Sequence, residues 1–231
     1  MKGTGKHRGL GGIASRRRAA VRVRAKSQRS ESSRQWLQRQ LNDPYVAAAK
    51  EQGYRSRAAY KFLQLDQKFH LLQKDLRVVD LGAAPGGWSQ VALEKIGAKG
   101  KLVAIDLLPM APLSGAEILQ LDFMADEAPQ KLKTLLNGPA DLVLSDLAPS
   151  TTGHARTDHI RVMALAEAAA QFAIEVLSPG GAFVCKFFQG GAEKTLLDLL
   201  KQHFATVKHA KPPASRKESS ETYLVAKGFK K

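Results

Sequence analysis

A lysine interrupts one of the most apolar stretches of the chain, Ala182-Phe183-Val184-Cys185-Lys186-Phe187-Phe188. An ammonium in such a stretch costs free energy unless it is paired or loses its proton. Two readings of Lys186 compete. One is an edge lysine that snorkels its head group to water. The other is a base that removes a proton, helped by desolvation and a second nearby cation, both of which favour a neutral amine. Acids also stand at the ends of apolar runs: Asp106 after 101–105, Asp122 after 117–121 and Asp146 after 141–145. A loop rich in glycine follows a fourth run, Asp80-Leu81-Gly82-Ala83-Ala84-Pro85-Gly86-Gly87-Trp88.

This loop is not G-x-G-x-x-G, because position 84 is alanine, nor a phosphate loop, because Trp88 follows Gly87. A pyrophosphate or triphosphate ligand is therefore disfavoured. The glycines still let a ligand approach the backbone closely. Asp106 lies 24 residues after Gly82, a distance suited to bonding ribose hydroxyls. Asp122 suits an adenine amino group, with Phe123 packed on the ring. A nucleoside without phosphates fits, and S-adenosylmethionine is the obvious one. Its expected contacts are Gly82, Pro85, Gly86, Gly87, Trp88, Asp106, Leu107, Asp122, Phe123 and Asp146. The competing reading is an ordinary strand-to-helix turn with acids that cap helices. The convergence of five such features weighs against it, since buried strands end in charge only where something uses it.

The elements that must position these groups follow from hydrophobic period. Short apolar runs at 77–81, 101–106, 117–121, 141–146 and 182–188 read as strands. Helical stretches alternate with them at 88–96, 126–136, 157–177 and 192–203, and segments 206–209 and 222–227 read as a closing pair of strands. Near-continuous apolar strands alternating with helices imply a parallel sheet covered on both faces. With right-handed crossovers this is an α/β, Rossmann-like, doubly wound fold. Ligands of such sheets bind outside the carboxyl ends of the strands, where all five features converge. Upstream, Asn42-Asp43-Pro44 marks a break and a helix cap, and a short helix over 45–51 precedes one opened by Ser56. Cys185 should face away from Lys186, into the core.

The chain has 231 residues, 36 Lys+Arg against 21 Asp+Glu, and a formal net charge of +15. Residues 1–70 hold 17 Lys+Arg and 4 Asp+Glu, whereas residues 71–231 hold 19 and 17, so the excess belongs to the N-terminal part. Residues 1–32 read as a disordered basic tail, and 33–231 as one methyltransferase-sized domain whose first part, 33–75, is helical, basic and suited to docking RNA. The tail suits phosphate contacts and counterion release. A solvated tail and an Arg-rich mitochondrial transit peptide are competing readings. A hydrophobic fraction of 44% excludes a wholly disordered basic protein. No apolar run reaches the ~18 residues of a membrane span, and no signal sequence is expected. Cys185 is the only cysteine, which excludes an intrachain disulfide and a cysteine-based zinc site. His154 and His159 lack further ligands at metal spacing, so surface or capping roles are expected and no metal is required.

With these motifs the sequence resembles the FtsJ/RrmJ (RlmE) family of ribosomal RNA large-subunit 2'-O-methyltransferases. The resemblance covers roughly residues 33–228 and rests on Ser32-Ser33-Arg34-Gln35-Trp36-Leu37, Arg55-Ser56-Arg57-Ala58-Ala59-Tyr60-Lys61, the loop from Val79 to Gln90, Asp106-Leu107-Leu108-Pro109-Met110, Cys185-Lys186-Phe187-Phe188-Gln189-Gly190 and Ser219-Ser220-Glu221-Thr222-Tyr223. It implies a seven-stranded, mostly parallel sheet and a catalytic tetrad at Lys61, Asp146, Lys186 and Glu221. Lys61 and Glu221 come from the resemblance alone. The chain departs from the pattern of many members after Asp146, where Ser150-Thr151-Thr152-Gly153 stands. The resemblance implies S-adenosylmethionine as donor and ribosomal RNA of the large subunit as partner, with a uridine as target. A monomer is expected, in the bacterial cytoplasm because the tail lacks a clear amphipathic helix, with a mitochondrial location as the alternative. The rivals are an RNA-binding assembly factor without catalysis, a methyltransferase of transfer RNA or a messenger cap, and a dinucleotide-dependent oxidoreductase.

Overall fold

A computed structural model describes residues 31–149, 152–188, 194–216 and 218–231. The expected tail up to residue 30, the end of the Cys185–Gly190 motif and the start of the helix expected from 192 lie outside these residues.

The first 40 described residues form three helices, α1 (Glu31–Leu41), α2 (Pro44–Gln52) and α3 (Ala58–Phe69). Helix α1 begins two residues inside the segment read as tail. Asp43 is extended and caps α2, its side chain accepting from the Tyr45 N–H, and Pro44 suits the first turn because it has no N–H to leave unpaired. Helix α2 ends at Gly53, which takes the left-handed conformation of a C-cap (φ 77°). Helix α3 ends at His70. There Asp66 accepts from the backbone N–H groups of Leu71 (3.0 Å) and Leu72 (2.8 Å) and turns the chain toward the sheet.

The rest alternates: β1 (Arg77–Leu81), α4 (Gly87–Ile96), β2 (Lys101–Asp106), β3 (Ala116–Gln120), α5 (Ala128–Leu136), β4 (Ala140–Ser145), α6 (Ala155–Val176), β5 (Leu177–Phe188), α7 (Lys194–His203), β6 (Phe204–Ala210) and β7 (Glu221–Phe229). The strands form one seven-stranded sheet in the order β3-β2-β1-β4-β5-β7-β6. Strands β1 to β5 pair in parallel, and β7 runs antiparallel between β5 and β6. This is the α/β fold expected, with its closing pair of strands. Strand β5 begins five residues earlier than its apolar run, because Leu177 already pairs with Ala140 before a register shift.

Each face of the sheet is buried. Val79, Leu81, Val143, Phe183, Cys185 and Phe187 pack with α5, α6 and α7 in one cluster. Val78, Leu142, Leu144, Val184 and Tyr223 pack with α3 and α4 in the other. Cys185 is fully buried, as expected, and burial pushes its thiol up to about 12. On the α3/α4 face an aromatic ladder runs from Phe62 to Trp88 (ring centroids 5.0 Å apart) and on to Tyr223 (5.6 Å). Each such pair contributes about 0.5–1.5 kcal/mol beyond its buried area. The ladder ties α3, which carries Lys61, to β7, which begins at Glu221.

Candidate active site

The strand order reverses between β1 and β4, and the loops that leave these two strands abut. The Asp146 N–H donates to the Leu81 carbonyl (3.0 Å). A Cβ on Gly82 (φ 77°) would come within 2.9 Å of the Leu147 backbone, so the close approach needs glycine here for both conformation and space.

Two ion pairs meet at this edge. Lys186 Nζ donates to the Asp146 backbone carbonyl (2.7 Å) and lies 3.1 Å from Asp146 Oδ1. Lys61 Nζ donates to Glu221 Oε2 (2.8 Å). The Lys186 side chain is 8% exposed, and those of Lys61 and Glu221 are 14%. The snorkelling reading of Lys186 therefore does not hold: its head group turns inward to Asp146. Tyr223 joins the pairs. Its fully buried hydroxyl donates to Asp146 Oδ1 (3.1 Å), and its ring centroid lies 5.9 Å from Lys61 Nζ. Ser215 Oγ donates to the other Glu221 oxygen (2.8 Å).

The electrostatics follow from this packing. Burial alone would raise the Asp146 carboxyl, but Lys186, then Lys61, and the hydrogen bonds from Lys186 and Tyr223 hold it below the ordinary carboxylate range. Burial holds the Tyr223 hydroxyl well above its ordinary value, and the Asp146 and Glu221 carboxylates add to that. Tyr223 is thus a neutral donor. Among the motif residues of 219–223 it is a further member of the site, beside Glu221. The signal was present, since it stands two residues from Glu221 and so shares a strand face with it.

Asp106 bridges the loops that follow β1 and β2, accepting from the Ala84 N–H at Oδ2 and the Leu108 N–H at Oδ1 (both 2.8 Å). Asp122 Oδ1 accepts from the Met124 N–H (2.9 Å). Leu107 is exposed beside Asp106. Pro85 follows a cis peptide bond, and Gly86, at φ 105°, precedes α4. The Trp88 side chain is buried, its Nε1–H donating to the Ala58 carbonyl (2.9 Å). Phe123, beside Asp122, is 7% exposed and meets Phe172 edge-on. Both rings turn inward because the core on either face of the sheet buries more apolar area than the loop edge can.

Two buried polar atoms at this edge lack a protein partner. Asp80 is fully buried at the end of β1; Ser89 Oγ donates to its Oδ2 (2.6 Å), while Oδ1 has no protein partner. Burial pushes this carboxyl up to about 7, against the hydrogen bond from Ser89 and with the help of Asp146 and Asp106. Ser56 Oγ is also buried without a partner, and a Cβ on Gly87 would come within 2.5 Å of it. A buried carboxylate oxygen and a buried hydroxyl without protein partners leave hydrogen bonds for a small polar molecule to complete. A sulfonium nucleoside with a free amino acid end meets that description. Among the described residues no three His, Cys, Asp or Glu side chains are grouped to hold a metal ion, and no helix is long and apolar enough to cross a membrane. His154 is exposed at the start of α6 and makes no side-chain cap, while His159 is half-buried.

Lys61 and Glu221 also line a cleft of about 470 Å³, whose other charged walls are Arg39, Arg57, Arg216 and Glu218. Arg57 donates to the Asp43 carboxylate and the Ala214 carbonyl, and Arg216 lies 3.6 Å from Asp43. Asp43 thereby holds the β6–β7 loop against the start of α3. Burial pulls the Arg57 guanidinium below its ordinary value, and Asp43 opposes that.

Residues 54–229 match the model of a protein family described as FtsJ-like methyltransferase. The ribosomal RNA large subunit methyltransferase E of Paramagnetospirillum magneticum is 59% identical over 99% of this chain and 96% of its own length. Its namesake in Acidiphilium cryptum is 60% identical over 94% of this chain and 96% of its own. A crystal structure from Plasmodium falciparum, of a protein provisionally assigned as a ribosomal RNA methyltransferase, superposes with a TM-score of 0.69 at 33% identity. It covers 76% of this chain and 98% of that one. The fibrillarin/Nop5p complex shares the fold (TM-score 0.52, 21% identity). A family match over most of the chain, with full-length relatives near 60% identity, establishes that the chain belongs to the FtsJ-like methyltransferase family.

Proposed function

We propose that this protein methylates a ribose 2'-hydroxyl of large-subunit ribosomal RNA, with S-adenosylmethionine as donor and a uridine of 23S rRNA as target. One observation carries the chemistry: Lys186–Asp146 and Lys61–Glu221 stand together between the donor-side loops and an arginine-walled cleft. The relatives' names supply the RNA.

The donor, when bound, supplies an electrophilic methyl group on a positive sulfur. The protein therefore has to align the attacking oxygen and take up one proton. Lys186 Nζ accepts the proton of the 2'-hydroxyl as the new oxygen–carbon bond forms. Asp146 orients Lys186 and places a negative charge beside the positive donor, and Tyr223 holds the Asp146 carboxylate in place. Lys61, fixed by Glu221, holds the acceptor ribose or its phosphate. Two cations and two acids balance the charge of a site shielded from water. The transfer uses no metal. Gly82, Pro85, Gly86, Gly87, Asp106, Leu107 and Asp122 form the donor side; Trp88 and Phe123 contribute there through their backbone only.

Arg39 and Arg216 face the phosphates of the docked RNA across the cleft, and the basic residues of 1–30 add affinity that falls with salt. We place the protein as a monomer in the bacterial cytoplasm. Transfer of labelled methyl from S-adenosylmethionine to large ribosomal subunits that lack the modification tests the reading. Label at a 2'-oxygen of 23S rRNA is expected. RNA binding with bound donor and no transfer would instead identify a non-catalytic assembly factor.

A further inference from the structure

Arg55 stands in the basic N-terminal part, next to Arg57 and six residues before Lys61, where composition alone assigns it to RNA phosphates. Its guanidinium points elsewhere. Nη1 donates to the carbonyls of Ala111 (2.7 Å) and Pro85 (3.2 Å), and Nη2 to that of Pro112 (2.7 Å). Pro85 belongs to the glycine-rich loop after β1, and Ala111 and Pro112 to the loop after β2. Asp106 links the same two loops from the other side through the Ala84 and Leu108 N–H groups. The packing leaves no slack: a Cβ on Gly86 would come within 2.9 Å of Arg55 Nη1 and 3.1 Å of Met110 Sδ. The Arg55 backbone is held as well. Its N–H donates to Gln90 Oε1 (2.7 Å) in α4, and Gln90 Nε2 donates to the Gly53 carbonyl (3.1 Å).

We infer that Arg55 is a positioning residue of the donor site and not a phosphate ligand of the RNA. A planar guanidinium can serve several carbonyls at fixed angles, which a lysine ammonium cannot match in the same geometry. Arg55 clamps the two loops that form the donor side, so donor affinity depends on it. It also sits between α2 and α3, close in sequence to Lys61. The clamp therefore couples the donor loops to the helix that holds the acceptor.

This inference rests on the donor assignment made above, and the test separates the two. S-adenosylhomocysteine binding by calorimetry, RNA binding across a salt series, and KM for each substrate are measured on the full chain and on Arg55→Ala and Arg55→Lys. For Arg55→Ala, Kd for S-adenosylhomocysteine and KM for the donor are expected to rise about 10- to 100-fold. RNA affinity and its salt slope should stay unchanged. Arg55→Lys should restore the donor affinity only in part. Arg39→Ala, on the cleft wall, should show the reverse pattern. A loss of RNA affinity and salt slope in Arg55→Ala that Arg55→Lys restores, with donor affinity intact in both, would overturn the inference. If Arg55→Ala fails to fold, Arg55→Lys carries the same comparison. If the unaltered protein binds no S-adenosylhomocysteine, the donor assignment itself fails.

Discussion

Lys186 and Tyr223 are register partners across β5 and β7, and both reach the same atom, Asp146 Oδ1, at 3.1 Å. One carboxylate oxygen at the end of β4 thus receives a cation and a neutral hydroxyl from adjacent antiparallel strands. The pairing fixes the direction of the lysine as well as its charge. The antiparallel insertion of β7 makes this possible, since it brings the start of one strand beside the end of another.

Removal of the base should separate chemistry from binding. Lys186→Ala is expected to lower kcat about 100- to 10,000-fold, with Kd for S-adenosylhomocysteine within about twofold of the original. Single-turnover methyl transfer with saturating donor measures the first, and calorimetry the second. Near-normal turnover would assign the base elsewhere.

The hydroxyl of Tyr223 is testable by itself. Tyr223→Phe keeps the ring in the ladder with Trp88 and removes only the bond to Asp146. A hydrogen bond to a charged group contributes about 1.5–3 kcal/mol to stability, so Tm should fall by several degrees, and kcat about 10-fold or more as Asp146 loses one of its two holds. An unchanged kcat would show that Lys186 alone suffices to hold Asp146.

Asp80 predicts a pH dependence of stability. Its carboxyl binds a proton more tightly in the folded chain (about 7) than in the unfolded one, whose value is near 3.8. Its contribution is therefore fully present below about pH 4 and is lost as pH rises through about 7, by on the order of 4 kcal/mol in all. Asp80→Asn can still accept from Ser89 and does not ionise. Its denaturant midpoint should fall less than that of the unaltered protein between pH 4.5 and pH 8. Parallel curves would show that Asp80 is not the titrating group.

The N-terminal charge should act on RNA and not on the donor. Deletion of residues 1–30 removes ten Lys+Arg. RNA affinity at low salt should drop and its salt slope flatten, while single-turnover methyl transfer at saturating RNA stays the same. Loss of S-adenosylhomocysteine binding in the truncated chain would contradict this division.

The sequence by itself determined the sheet and the edge that carries the chemistry. Apolar runs of strand length, separated by helical periods, leave few topologies open, and a parallel sheet collects its strand ends along one edge. Asp146, Lys186, Asp106 and the loop from Gly82 could therefore be grouped without knowing a single contact. Only the tertiary structure decided which partners the side chains take. Lys61 and Glu221 lie 160 residues apart and meet because the aromatic ladder packs α3 against β7, a non-local event with no local signature. Trp88 and Phe123 turn inward because burial outweighs exposure at a loop edge. Arg55, indistinguishable by composition from its basic neighbours, reaches loop carbonyls because α4 and its Gln90 hold the backbone there. Strand ends are set by local pattern and chain topology. The destination of a long side chain is set by whatever packing brings within its reach.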